Sequence, residues 1–114
     1  MRSLVIIFLV LFSTTSLSAD WRPLDGIYAV TAHGYLDPAT DEANDSHYRL
    51  QLRGGSAKDL YQAMKVAPMA DECTGELTKN IGQMQCLYDK RADSYECHFS
   101  IEISTQTIDY GVAC

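Results

Sequence analysis

The most regular pattern in the chain runs from Ser56 to Pro68. Ala57, Leu60, Tyr61, Met64 and Ala67 recur at spacings of three and four, the stripe of an amphipathic helix. Ser56 stands as its N-cap with Asp59 three residues on, and Pro68 ends it. Upstream, Tyr48, Leu50 and Leu52 alternate with Arg49, Gln51 and Arg53, which predicts a half-buried strand over 47–53. Residues 27–36 form a less regular β-rich run. The acidic, turn-forming stretch 37–46 joins the two as a hairpin with a long loop. Downstream, 69–82 reads as irregular, and alternating runs over 84–88, 95–103 and 108–114 predict a meander. The order β-β-α-β-β-β defines an α+β domain, one helix laid on a small antiparallel sheet.

One segment stands outside this pattern. Residues 4–12 are unbroken apolar, preceded by Arg2 and followed by the small and polar stretch 13–18. That is the layout of a secretory signal peptide, with cleavage expected after Ala19 or, one residue earlier, after Ser18. Nine apolar residues rise only about 14 Å as a helix against a hydrocarbon core of about 30 Å, so no stable membrane anchor is expected. Residues 1–19 are therefore read as removed and 20–114 as a single secreted or periplasmic domain.

Removing them changes the composition. Nineteen of the 114 residues go, Arg2 goes with them, and the net charge moves from −6 to −7 over the remaining 95. Such an acidic chain is a poor partner for nucleic acid. Its 16 Val, Ile, Leu and Phe residues make a thin aliphatic core, supplemented by seven Tyr and Trp21. All four cysteines remain, at spacings that contain no CxxC, so two disulfides are expected rather than zinc.

Hairpin arithmetic limits how they pair. Opposing Ile103 to Ile108 places Cys97 opposite Cys114, and opposing Tyr88 to Tyr95 places Cys86 opposite Cys97. Cys86 and Cys114 then lie two strand spacings apart, roughly 9–10 Å, beyond disulfide reach. The pattern preferred is Cys73–Cys86 with Cys97–Cys114. The other that survives is Cys73–Cys114 with Cys86–Cys97.

Candidate chemistry is sparse. No nucleophile elbow, HExxH or phosphate loop is present, Gly54-Gly55 lacks the Lys-Ser/Thr of a phosphate cradle, and no cofactor or catalytic role is assigned. The densest charge cluster is Asp37, Asp41, Glu42 and Asp45 at the hairpin tip. It points to contact with a basic protein partner, as in an inhibitor or immunity-type module, because complementary charge raises on-rate and specificity. The alternative is a small periplasmic metal- or ligand-binding protein using His33, His47 and nearby acids. A register placing Tyr35 opposite Tyr48 sets His33 against Leu50, near His47 but unpaired with it, so no metal ligand is assigned. Asn44-Asp45-Ser46 matches a glycosylation sequon. The outer sheet face (Arg49, Gln51, Arg53, Gln85, Glu96, His98, Glu102) is polar and is expected to face solvent or a partner.

Overall fold

A computed structural model describes residues 19–33, 41 and 43–111. Residues 1–18, expected to be a signal peptide, most of the acidic stretch 37–46 and the last three residues lie outside the described residues. The elements are β1 (Gly26–Thr31), β2 (His47–Arg53), α1 (Gly54–Ala63), β3 (Met69–Ala70), β4 (Leu77–Ile81), β5 (Met84–Asp89), β6 (Ser94–Glu102) and β7 (Thr107–Tyr110). All seven strands join one antiparallel sheet in the order β1-β2-β6-β5-β4-β3, with β7 also on β6. This is the expected α+β arrangement, enlarged by β3 and β4 where an irregular segment was expected. Leu77–Ile81 carries no clean alternation signal, because Lys79 stands between its two apolar positions on one face. The two-residue turn behind it, with Gly82 at φ +55°, marks the hairpin to Met84.

The helix forms one face of the core. Ala57, Tyr61 and Met64 are buried against Leu52, Cys86 and Cys97, with Leu50, Met84, Tyr88, Tyr95 and Phe99 packed around them. The Tyr61, Tyr88 and Tyr95 rings form a cluster with centroids 4.5–6.2 Å apart, and the Tyr88–Tyr95 pair is the one expected across the β5–β6 hairpin. The helix starts earlier than its capping signal. Arg53 is the N-cap without a side-chain bond, and the Ser56 hydroxyl instead accepts the Asp25 backbone N–H at 2.7 Å. It also ends five residues before Pro68, where Lys79 Nζ donates to the carbonyls of Tyr61 and Met64 at 3.0 and 3.1 Å. A cation placed there satisfies carbonyls that the last turn leaves open.

The preferred cysteine pattern is overturned. Cys86 is bonded to Cys97 across directly opposed positions of β5 and β6, with Cα atoms 4.0 Å apart. That bond excludes both Cys73–Cys86 and Cys97–Cys114, since each sulfur bonds once. It is the one disulfide seen among the described residues; Cys73 is not free, and Cys114 lies outside them. The error came from the strand order. β2 pairs along β6 from Glu96 to Glu102, so the residue flanking Cys97 opposite Cys86 is Leu52. β7 is displaced to the side that β5 occupies, beyond the end of β5. It pairs with β6 at Ile101↔Ile108 and Phe99↔Tyr110, two residues out of the expected register.

The polar face of the sheet is also less solvated than its composition suggested. His98 and Ser100 are buried, as are Thr78 and Leu87 on the same side. The chain leaving β7 lies on β6 there. A Cβ on Gly111 would come within 2.6 Å of His98 and Phe99 atoms, so only glycine permits this close approach. The Tyr110 carbonyl accepts from Ser100 Oγ at 2.8 Å and from Arg49 Nη1 at 3.1 Å.

Candidate metal centre

β1 and β2 pair with Thr31 opposite His47, not in the register that set His33 against Leu50. His33, two residues beyond Thr31, therefore shares a face with His47 as its diagonal neighbour. Across β6, Asp109 of β7 lies on the same face, opposite the small buried Ser100. The His47 ring reaches over β6 to meet it.

The three donor atoms converge. His47 Nε2 lies 3.1 Å from Asp109 Oδ2 and 3.4 Å from His33 Nδ1, and His33 Nδ1 lies 3.4 Å from Asp109 Oδ2. Metal–nitrogen and metal–oxygen bonds of about 2.0–2.1 Å at tetrahedral angles separate ligand atoms by about 3.3–3.4 Å. The triangle thus has the edges of one face of a tetrahedron, and His33 is its exposed corner. His47 is buried and Asp109 half-buried, so two of the three donors are held rigidly.

Surrounding groups orient each donor. The Ser46 hydroxyl lies 2.8 Å from His47 Nδ1 and 3.5 Å from the Thr31 carbonyl. With a metal on Nε2, the Nδ1–H donates to Ser46 and the hydroxyl donates on to Thr31. With a proton on Nε2, the hydroxyl turns and donates to Nδ1. Either state keeps the ring in place. Asp109 accepts the Tyr110 backbone N–H at 2.8 Å; that bond, reinforced by His47 and His33 against the opposing effect of burial, holds its carboxyl below the usual carboxylate range. It is therefore ionised throughout the neutral range. Arg49 ties the frame together, donating to Thr31 Oγ1 at 2.7 Å, to the His33 carbonyl at 2.8 Å and to the Tyr110 carbonyl. It bridges the end of β1 to the end of β7, the segments that carry His33 and Asp109.

Ser46, His47 and Asp109 also have the membership of a nucleophilic triad. Here the hydroxyl sits on Nδ1 and the carboxylate on Nε2, the reverse of the orientation that activates serine in the serine proteases. The arrangement orients a ligand better than it activates a nucleophile.

The other candidate residues stand apart from this cluster where they are described. Asp41 and Asp45 are exposed, while Asp37 and Glu42 lie outside the described residues. His98 is buried two positions along β6 from Ser100, its Nε2 3.3 Å from Glu96 Oε2 without hydrogen-bond alignment. Glu96 itself accepts from Gln51 Nε2. The residue that sequence reasoning missed is Asp109. Its only sequence signal was its place on the polar side of the last strand.

Comparison with protein-family models, curated proteins and solved structures gives no match to this chain. No helix among the described residues is long and apolar enough to cross a membrane.

Proposed function

We propose that this is a small exported metal-binding protein, holding one divalent transition-metal ion between His33 Nδ1, His47 Nε2 and Asp109 Oδ2. The observation that carries the reading is the donor triangle, with edges of 3.1–3.4 Å. Two imidazoles and a carboxylate suit zinc, copper, nickel or iron(II); calcium and magnesium prefer oxygen shells. The tetrahedral edge lengths favour zinc, and the fourth corner is left to water or an exchangeable ligand. The apolar leader and the disulfide support export, where metal capture outside the cytoplasm is the natural task. We assign the protein to binding rather than catalysis.

Zinc titration of the metal-stripped protein tests this. Saturation at one equivalent is expected. At 100-fold excess over Kd the ion stabilises the fold by about 2.7 kcal/mol, a rise in Tm of roughly 10–20 °C for a domain this size. Binding weakens on acidification because protons compete for both imidazole nitrogens. Asp109 adds to the loss only at lower pH: its depressed pKa keeps it charged until pH falls below the usual carboxylate range. A Tm unmoved by zinc, copper, nickel and iron(II) alike removes the proposal.

A further inference from the structure

α1 covers only part of its side of the sheet. Beyond the Leu52–Cys97–Cys86 row, β1, β2, β6 and β7 present Tyr28, Val30, Tyr48, Leu50, Phe99, Ile101, Ile108 and Tyr110 on the helix side. Tyr28 is 69% exposed, Tyr110 62%, Val30 49% and Ile108 47%. The Tyr28 and Tyr48 rings stack on each other at 5.3 Å, nearly parallel. None of the eight residues is charged.

We infer that this uncovered half-face is a dimer interface, packed sheet to sheet against the same face of a second copy. Three features select a second copy as the occupant. The first is shape. α1 rises from the sheet as a step about 10–12 Å high, and stacked sheets lie about 10 Å apart. A second sheet laid on the open half fills the step, and each helix abuts the end of its partner's sheet under a twofold axis. The second is charge. The like net charge of two copies, −6 each for the whole chain and −7 without residues 1–19, opposes contact over most of the surface, and this half-face, with no charged side chain, is where a second copy adds no like-charge pair. The third is area. With aromatic side chains covering about 150–250 Å² each, the exposed portions amount to roughly 500–600 Å² per copy. A pair then buries roughly 1,000–1,200 Å², which clears the roughly 1,000 Å² asked of a biological interface and lies at the small, weakly associating end of the range.

The inference is independent of the metal. Asp109 points to one face of β7 while Ile108 and Tyr110 point to the other, so zinc binding and pairing use opposite sides of the same strands. Sedimentation velocity on the purified protein, its N-terminus recorded by intact mass, tests it up to about 200 µM, above the micromolar Kd that an interface of this size supports. A dimer is expected in zinc and in chelator alike. Tyr28→Asp and Ile108→Lys, both at exposed positions, are each expected to weaken it at least 100-fold while keeping the parent's far-ultraviolet circular dichroism and a cooperative melt as the check on folding. Met69→Asp, at a residue 72% exposed on the distant β3, is expected to leave it intact. A monomer at every concentration, a dimer indifferent to both face variants, or one that chelator alone dissociates overturns the inference.

Discussion

His47→Ala is expected to abolish zinc binding and to lower the stability of the metal-free protein by about 2–3 kcal/mol. The two effects have separate origins. Nε2 is the buried corner of the donor triangle, so two exposed or half-exposed donors remain with no rigid third. The ring also fills a fully buried site, and its removal strips Ser46 of its side-chain partner and Asp109 of one of its own. His33→Ala separates them. That side chain is 71% exposed, so its loss is expected to reduce zinc affinity at least 100-fold while the metal-free Tm stays near that of the parent. Calorimetric titration and thermal melts on both variants read the outcome. A His33→Ala protein that binds zinc as tightly as the parent sinks the assignment.

Replacing Cys86 and Cys97 together by serine is expected to cost about 3 kcal/mol or more, visible as a lower urea midpoint. The bridge closes a short loop, with a sequence separation of 11, and chain-entropy arguments put such a closure near that figure. Both residues are fully buried beneath α1, with Cys97 Sγ 3.5 Å from the Ala57 carbonyl, so hydroxyls there add a desolvation cost. The alanine pair gives a smaller loss and separates the two contributions. If the alanine pair shifts stability by less than about 1 kcal/mol, the bridge is not a principal stabiliser of this small domain.

The helix and the hairpin registers were legible to different degrees, for physical reasons. The stripe of Ala57, Tyr61 and Met64 is a local periodicity, and it packs as read. Tyr88 opposite Tyr95 and Cys86 opposite Cys97 follow from one tight hairpin and also hold. What failed was long-range. Nothing in the local pattern says that β2 takes the flank of β6 that β7 was expected to occupy, and that single misplacement assigned Cys97 the wrong partner. The candidate site was half legible. His33 and His47 flank one loop, but a register sum wrong by five hid their diagonal contact. Asp109 comes from a strand 62 residues beyond His47, beyond the reach of any spacing rule.

β7 has only four residues and, among the described strands, forms a backbone ladder with β6 alone. It nevertheless supplies one of the three donors, while the other two come from β2 itself (His47) and from just past the end of β1 (His33). A bound ion would therefore act as a clasp on the final strand, fastening it to chain more than sixty residues earlier. Stripped of metal, the same strand is held by its ladder to β6 and by the Ser100 and Arg49 bonds to the Tyr110 carbonyl. A bound ion would add its own binding free energy to that hold, so the stability of this strand would follow the supply of metal.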